Sequence, residues 1–146
     1  MQTEAHILSI AHVIQLAVAP VFLLSGIGMI LTVLMTRLNR IVDRARLLEG
    51  LLPSANEEGV VKLHKELHTL SRRARIVYWA TTLTTFSGLL ICVVITTLFV
   101  GHFLRLDLSE MIVAFFIVAM MALVVAFICF LREIFLGTVS LRIGPY

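Results

Sequence analysis

Three stretches of this chain are apolar enough and long enough to cross a lipid bilayer. They run from 13 to 36, from 76 to 100 and from 111 to 131. A hydrocarbon core about 30 Å thick is crossed by about 20 helical residues, so each stretch suffices. Inside lipid every backbone N–H and C=O must be bonded within the chain, which makes each crossing a helix. Composition agrees. Of the 146 residues, 60% are apolar and only 14% charged, whereas soluble domains hold roughly 45–50% and about 25%. A one-domain chain cannot bury that much apolar surface in water. The expected fold class is therefore all-α: an integral membrane protein with three transmembrane helices, forming a single membrane domain over 1–146.

The charges give an orientation. Nine of the twelve Lys and Arg residues lie between 37 and 75, and Arg132 and Arg142 follow the third span. Arg105 alone lies in the connection 101–110, and the N-terminal tail has none. Basic residues stay on the cytoplasmic side. The expected topology puts the N-terminus outside, 37–75 inside, 101–110 outside and the tail 132–146 inside. The net charge of +3 reflects this clustering and does not imply nucleic acid. No cleavable leader is expected: Met1 to His6 hold no Lys or Arg, and Pro20 follows the only small-residue cleavage pattern, Ala17-Val18-Ala19.

The inner segment is patterned as a helical hairpin. Leu31, Leu34, Leu38, Ile41, Ala45, Leu48 and Leu52 follow a 3-4 spacing, as do Val60, Leu63, Leu67, Leu70, Ala74 and Val77. Each is a coiled-coil seam. Pro53 closes the first arm, and Ser54 with Glu57 fits a capping box for the second. An antiparallel hairpin over 37–75 is expected to continue the first two spans about 24 Å into the cytoplasm. Upstream, Ile7, Ile10, Ala11 and Ile14 recur at helical spacing before Pro20. Residues 7–19 are either a separate interfacial amphipathic helix, with the first span at 20–36, or the start of one kinked helix over 13–36. Asp107 or Ser109 is suited to cap the third helix. The tail from Arg132 to Ile143 is amphipathic, suited to the inner interface.

Several side chains are candidates for function. Arg37, Arg40, Asp43, Arg44 and Arg46 form a basic motif directly after the first span. A solvated topological anchor, contact with anionic lipid headgroups, and a subunit or anion site all fit it. Asp43 favours an inter-subunit ion-pair network over a purely polybasic lipid patch. Ala19 to Gly26 (A-P-V-F-L-L-S-G) followed by Arg37 to Arg46 (R-L-N-R-I-V-D-R-A-R), with Phe130 to Ile134 (F-L-R-E-I), resembles a family of short bacterial three-span inner-membrane proteins of unknown function. The resemblance spans nearly the whole chain. It implies a bacterial inner-membrane location and carries over no catalytic residue or substrate.

In the second span Thr81, Thr85, Gly88, Cys92 and Thr96 share one face. Small residues there can pack helices closely, with Ala119, Ala122, Ala126 and Cys129 of the third span opposite, or hydroxyls can line a hydrated path. Pro20, Ser25, Gly26 and Gly28 form a small-residue zone suited to packing or to a hinge. His64 and His68 are i, i+4 on one arm, a weak metal candidate without a third ligand, so no metal and no cofactor is expected. Cys92 and Cys129 read as inert packing residues.

No catalytic constellation is visible, and no clear ionisable residue lies at mid-span. The expected partners are the bilayer, further copies of the chain and anionic lipid. The expected function is a homo-oligomeric ion channel or pore-like protein, not an enzyme. The alternative is a non-transporting scaffold or regulator whose basic hairpin binds a partner or anionic lipid.

Overall fold

The computed structural model describes residues 1–141 and is all-α. α1 spans Gln2–Leu51, α2 Glu57–Leu104 and α3 Ser109–Leu141, with a single 3-10 turn, Leu52–Ser54, between α1 and α2. All three helices are long and apolar enough to cross a membrane. At 1.5 Å per residue, the 50 residues of α1 extend roughly 75 Å, more than twice a bilayer core. The chain falls into two compact units, Met1–Ile30 with Thr84–Val124, and Leu31–Leu83 with Val125–Tyr146.

In the first unit the buried line of α1 is Val13, Ala17, Pro20 and Ile27. The apolar positions Ile7, Ile10 and Ile14 point outward instead. α1 runs unbroken through Pro20. Residues 7–19 are thus the first turns of one helix and not a separate amphipathic element. Pro20 removes one backbone donor, a loss a helix can absorb when the surrounding turns remain bonded. Against α1, the face of α2 is made by Gly88: a Cβ there would stand 3.3 Å from Ile27 Cγ2 and 3.8 Å from Leu24 Cδ1. The adjoining face of α2 meets α3, where the buried Ser87 hydroxyl donates to the Ala119 carbonyl at 2.8 Å. Small residues at such crossings let two backbones approach, as membrane helices require.

α2 ends at a left-handed residue. Arg105 has φ 53°, and the Leu106 amide donates to the Gly101 carbonyl at 3.0 Å. That bond ties off an otherwise unpaired carbonyl of the last turn. α3 is capped from outside its first turn. The Asp107 carboxylate accepts from the Ser109 hydroxyl at 2.5 Å and from the Ser109 amide at 3.3 Å. The hydroxyl first, and the amide second, hold this exposed carboxyl below its ordinary range.

In the second unit the apolar stripes of both arms are sheltered. Leu34, Ile41, Leu48, Leu70 and Val77 are buried, and the other eight positions of the two stripes are half-buried. Arg44 of α1 reaches Glu66 of α2 with two bonds, Nη2 at 2.9 Å and Nε at 3.3 Å. The start of α2 departs from expectation. The Ser54 hydroxyl donates back to the Leu51 carbonyl, and the first helical bond of α2 is accepted by the Asn56 carbonyl from Val60. Ser54 is drawn into the 3-10 turn set by Pro53, so it does not form the capping box with Glu57. Residues 132–141 continue α3 as helix; Arg142, Ile143, Gly144 and Pro145 lie outside the described residues.

Candidate functional site

The second unit brings together charges that are far apart in sequence. Glu133, on α3, is 1% exposed. Its Oε2 accepts from Arg37 Nη1 at 3.0 Å and its Oε1 from Arg73 Nη2 at 2.7 Å. One carboxylate thus joins all three helices by charge-assisted bonds. A buried carboxylate is tolerable only when paired in this way. The Arg37 guanidinium also lies over the Phe130 ring, 5.2 Å from its centroid, a stacking that suits arginine better than lysine. Gly137, one turn beyond Glu133, makes room: a Cβ there would come within 2.9 Å of Arg73 Nη2.

The site is not neutral. A cavity of about 450 Å³ is lined by Arg37, Arg40 and Arg73, with Glu133 as its only acid among the described residues and with Thr36 and Ile41 among its walls. Three guanidiniums against one carboxylate leave a formal charge of +2. A second cavity shares the same three arginines and adds Arg44 and Glu66. Arg40 makes no ion pair among the described residues. The buried Nε of Arg73 has no hydrogen-bond acceptor among them either. The arrangement can hold an anion. It has no nucleophile–base pair, and no three His, Cys, Asp or Glu side chains converge among the described residues.

A family model matches residues 17–143, and its description is a protein of unknown function, DUF2721. The chain belongs to this family. The region matched to DUF2721 takes in most of α1, all of α2 and α3, and with them Arg37, Arg73 and Glu133. Neither the curated proteins nor the solved structures give a match.

The sequence-derived candidates are distributed as follows. Of the basic motif, Arg37, Arg40 and Arg44 line the cavities, while Asp43 and Arg46 are exposed and make no ion pair among the described residues. Within the chain, the ion pairs of this region are made with Glu133 and Glu66. On α2, Thr85, Cys92 and Thr96 are exposed, Thr81 is half-buried and Gly88 is buried. The Thr81 and Thr96 hydroxyls donate to the Val77 and Cys92 carbonyls one turn back. Buried hydroxyls are those of Thr84 and Ser87, one face over. Pro20 is buried and Gly26 half-buried, while Ser25 and Gly28 are exposed, and a Cβ on either glycine would meet nothing. His64 and His68 are both exposed. Glu133 was missed. Its signal was modest: it is the sole acid near the end of the third apolar stretch, as Arg37 and Arg73 are bases near the ends of the other two.

Proposed function

We propose that this protein is a homo-oligomeric, multi-pass protein of the bacterial inner membrane that acts as a non-transporting, non-enzymatic scaffold, holding anionic headgroups through the basic end of its helical hairpin. Its N-terminus lies outside, and the hairpin over 37–75 and the C-terminal tail lie in the cytoplasm. The observation that carries this reading is the surplus of guanidinium around Glu133, above all Arg40, which lines both cavities and makes no ion pair among the described residues. The surroundings fit a membrane boundary. Tyr78 and Trp79, five and six residues beyond Arg73, are 59% and 56% exposed, and such rings favour the headgroup layer. Large apolar side chains also face outward on each helix, among them Phe22, Leu89 and Met121, where lipid would cover them. Each basic residue held near an anionic surface adds about 1 kcal/mol.

Purified protein in nanodiscs is expected to retain phosphatidylglycerol over phosphatidylcholine in native mass spectrometry. Raising salt should weaken that preference, because exposed charges are screened. Arg40→Ala should reduce retention while the oligomer survives. Equal retention of both lipids would overturn the reading.

A second reading is favoured by one observation. Thr85, Cys92 and Thr96 of α2 are exposed, so they are available to line a pore between subunits. Planar-bilayer recordings test it: a conductance that changes in Thr85→Leu and Thr96→Leu supports an ion pathway, and a silent membrane rejects one.

A further inference from the structure

We infer that the cavity bounded by Arg37, Arg40 and Arg73 is a site for a phosphate monoester, in preference to a diester headgroup of the same lipid surface. The inference rests on the headgroup reading above and narrows its chemistry.

Charge is the first argument. The cavity carries three guanidiniums and one carboxylate, a formal +2. A monoester phosphate near neutral pH carries about −1.5 to −2, with a second pKa of about 6. A diester carries a single charge and would leave the site with a surplus. Donor geometry is the second argument. Arg37 and Arg73 each give Glu133 one bond, and each guanidinium has five N–H donors in a planar fork. Most of those donors remain for other oxygens. A terminal phosphate offers three oxygens to them. Arginine forks match phosphate oxygens in a way that a point charge does not.

Glu133 is the positioning residue. Its two bonds hold guanidiniums from α1 and α2 side by side, against their mutual repulsion. Arg40 lines the cavity and makes no ion pair among the described residues, so it contributes most of the binding preference. The volume, about 450 Å³, exceeds what one phosphate fills and lies in the range of small-ligand pockets. Thr36 and Ile41 supply the less charged wall.

The test compares nanodiscs of phosphatidylcholine containing equal mole fractions of phosphatidic acid or phosphatidylglycerol. Lipid retention is read by native mass spectrometry between about pH 7.5 and about pH 5.5, across the second phosphate pKa of about 6. Phosphatidic acid should be favoured at the higher pH by about tenfold or more, the scale of one charge-assisted bond. The preference should fall as the monoester gains its proton. Arg40→Ala should abolish it, and Arg40→Lys should restore only part of it. Neither variant breaks a bond seen in the structure, so folding is preserved as a control.

Inorganic phosphate added to the same samples separates the sources. Displacement of phosphatidic acid supports a site that takes free phosphate as well, and failure to displace it with the preference intact supports a lipid source. Two results overturn the inference. If both lipids bind alike at every pH, and Arg40→Ala weakens both equally, the monoester site fails while general headgroup binding stands. If neither exceeds phosphatidylcholine, both readings fail.

Discussion

Glu133→Ala is expected to destabilise the protein by about 3 kcal/mol, the lower end of the range for removing one partner of a buried ion pair. The lower end applies because Arg37 is 41% exposed and regains water, whereas Arg73 is only 22% exposed. Thermal unfolding in detergent should fall by about 6–12 °C, on the scaling for a chain of this size. Glu133→Gln keeps the shape and loses the charge, so it should cost less but remain clearly destabilising. The combined change of Arg37, Arg73 and Glu133 to apolar residues of similar volume should recover much of the loss, since burying no charge costs less than burying an unpaired one. An unchanged melting temperature in Glu133→Ala would show that the two guanidiniums do not depend on this carboxylate.

Gly88→Leu should have an effect of similar size, about 3 kcal/mol, the upper end of the range for overpacking a close contact. Even a Cβ at this position would stand 3.3 Å from Ile27 Cγ2, and leucine adds three further carbons. Gly88→Ala should cost less, because its gain in helix propensity of about 1 kcal/mol opposes the crowding. Gly26 and Gly28 provide the contrast. Both stand in open space within the chain, so leucine there should be neutral or stabilising in a monomer. Chemical denaturation in micelles, followed by helical circular dichroism, reads all four variants. If Gly26→Leu or Gly28→Leu loses as much as Gly88→Leu, a second copy of the chain packs against α1 at that point. If Gly88→Leu loses nothing, the α1–α2 contact is looser than its geometry states.

These two sites differ in how far the sequence disclosed them. Apolar spacing was a reliable guide to which positions between 31 and 77 are sheltered, because a stripe sustained at helical spacing has only one sheltered side; none of its thirteen positions is exposed. The length and polarity of the three long helices were equally plain. The small-residue faces were less so. Thr81, Thr84, Thr85, Ser87 and Gly88 crowd two turns of α2, and several faces can be drawn through them at helical spacing. Only the neighbouring side chains decide. Ile27 and Ala119 select Gly88 and Ser87 and leave Thr85, Cys92 and Thr96 outward. The capping of α2 failed for a local reason, since Pro53 pulls Ser54 into a turn before it can reach Glu57. Glu133 was the hardest to see. A single acid carries no periodicity, and its role depends on three helices meeting at one level.

That meeting also has an order in time. Glu133 lies 96 residues after Arg37 and 60 after Arg73. At synthesis rates of about 5–20 residues per second, Arg37 waits roughly 5–20 s for its counter-charge. Through that interval the first two helices lack the carboxylate that joins them to the third. A nascent chain halted before its third helix therefore lacks the one acid that, in the finished chain, ties Arg37 to Arg73.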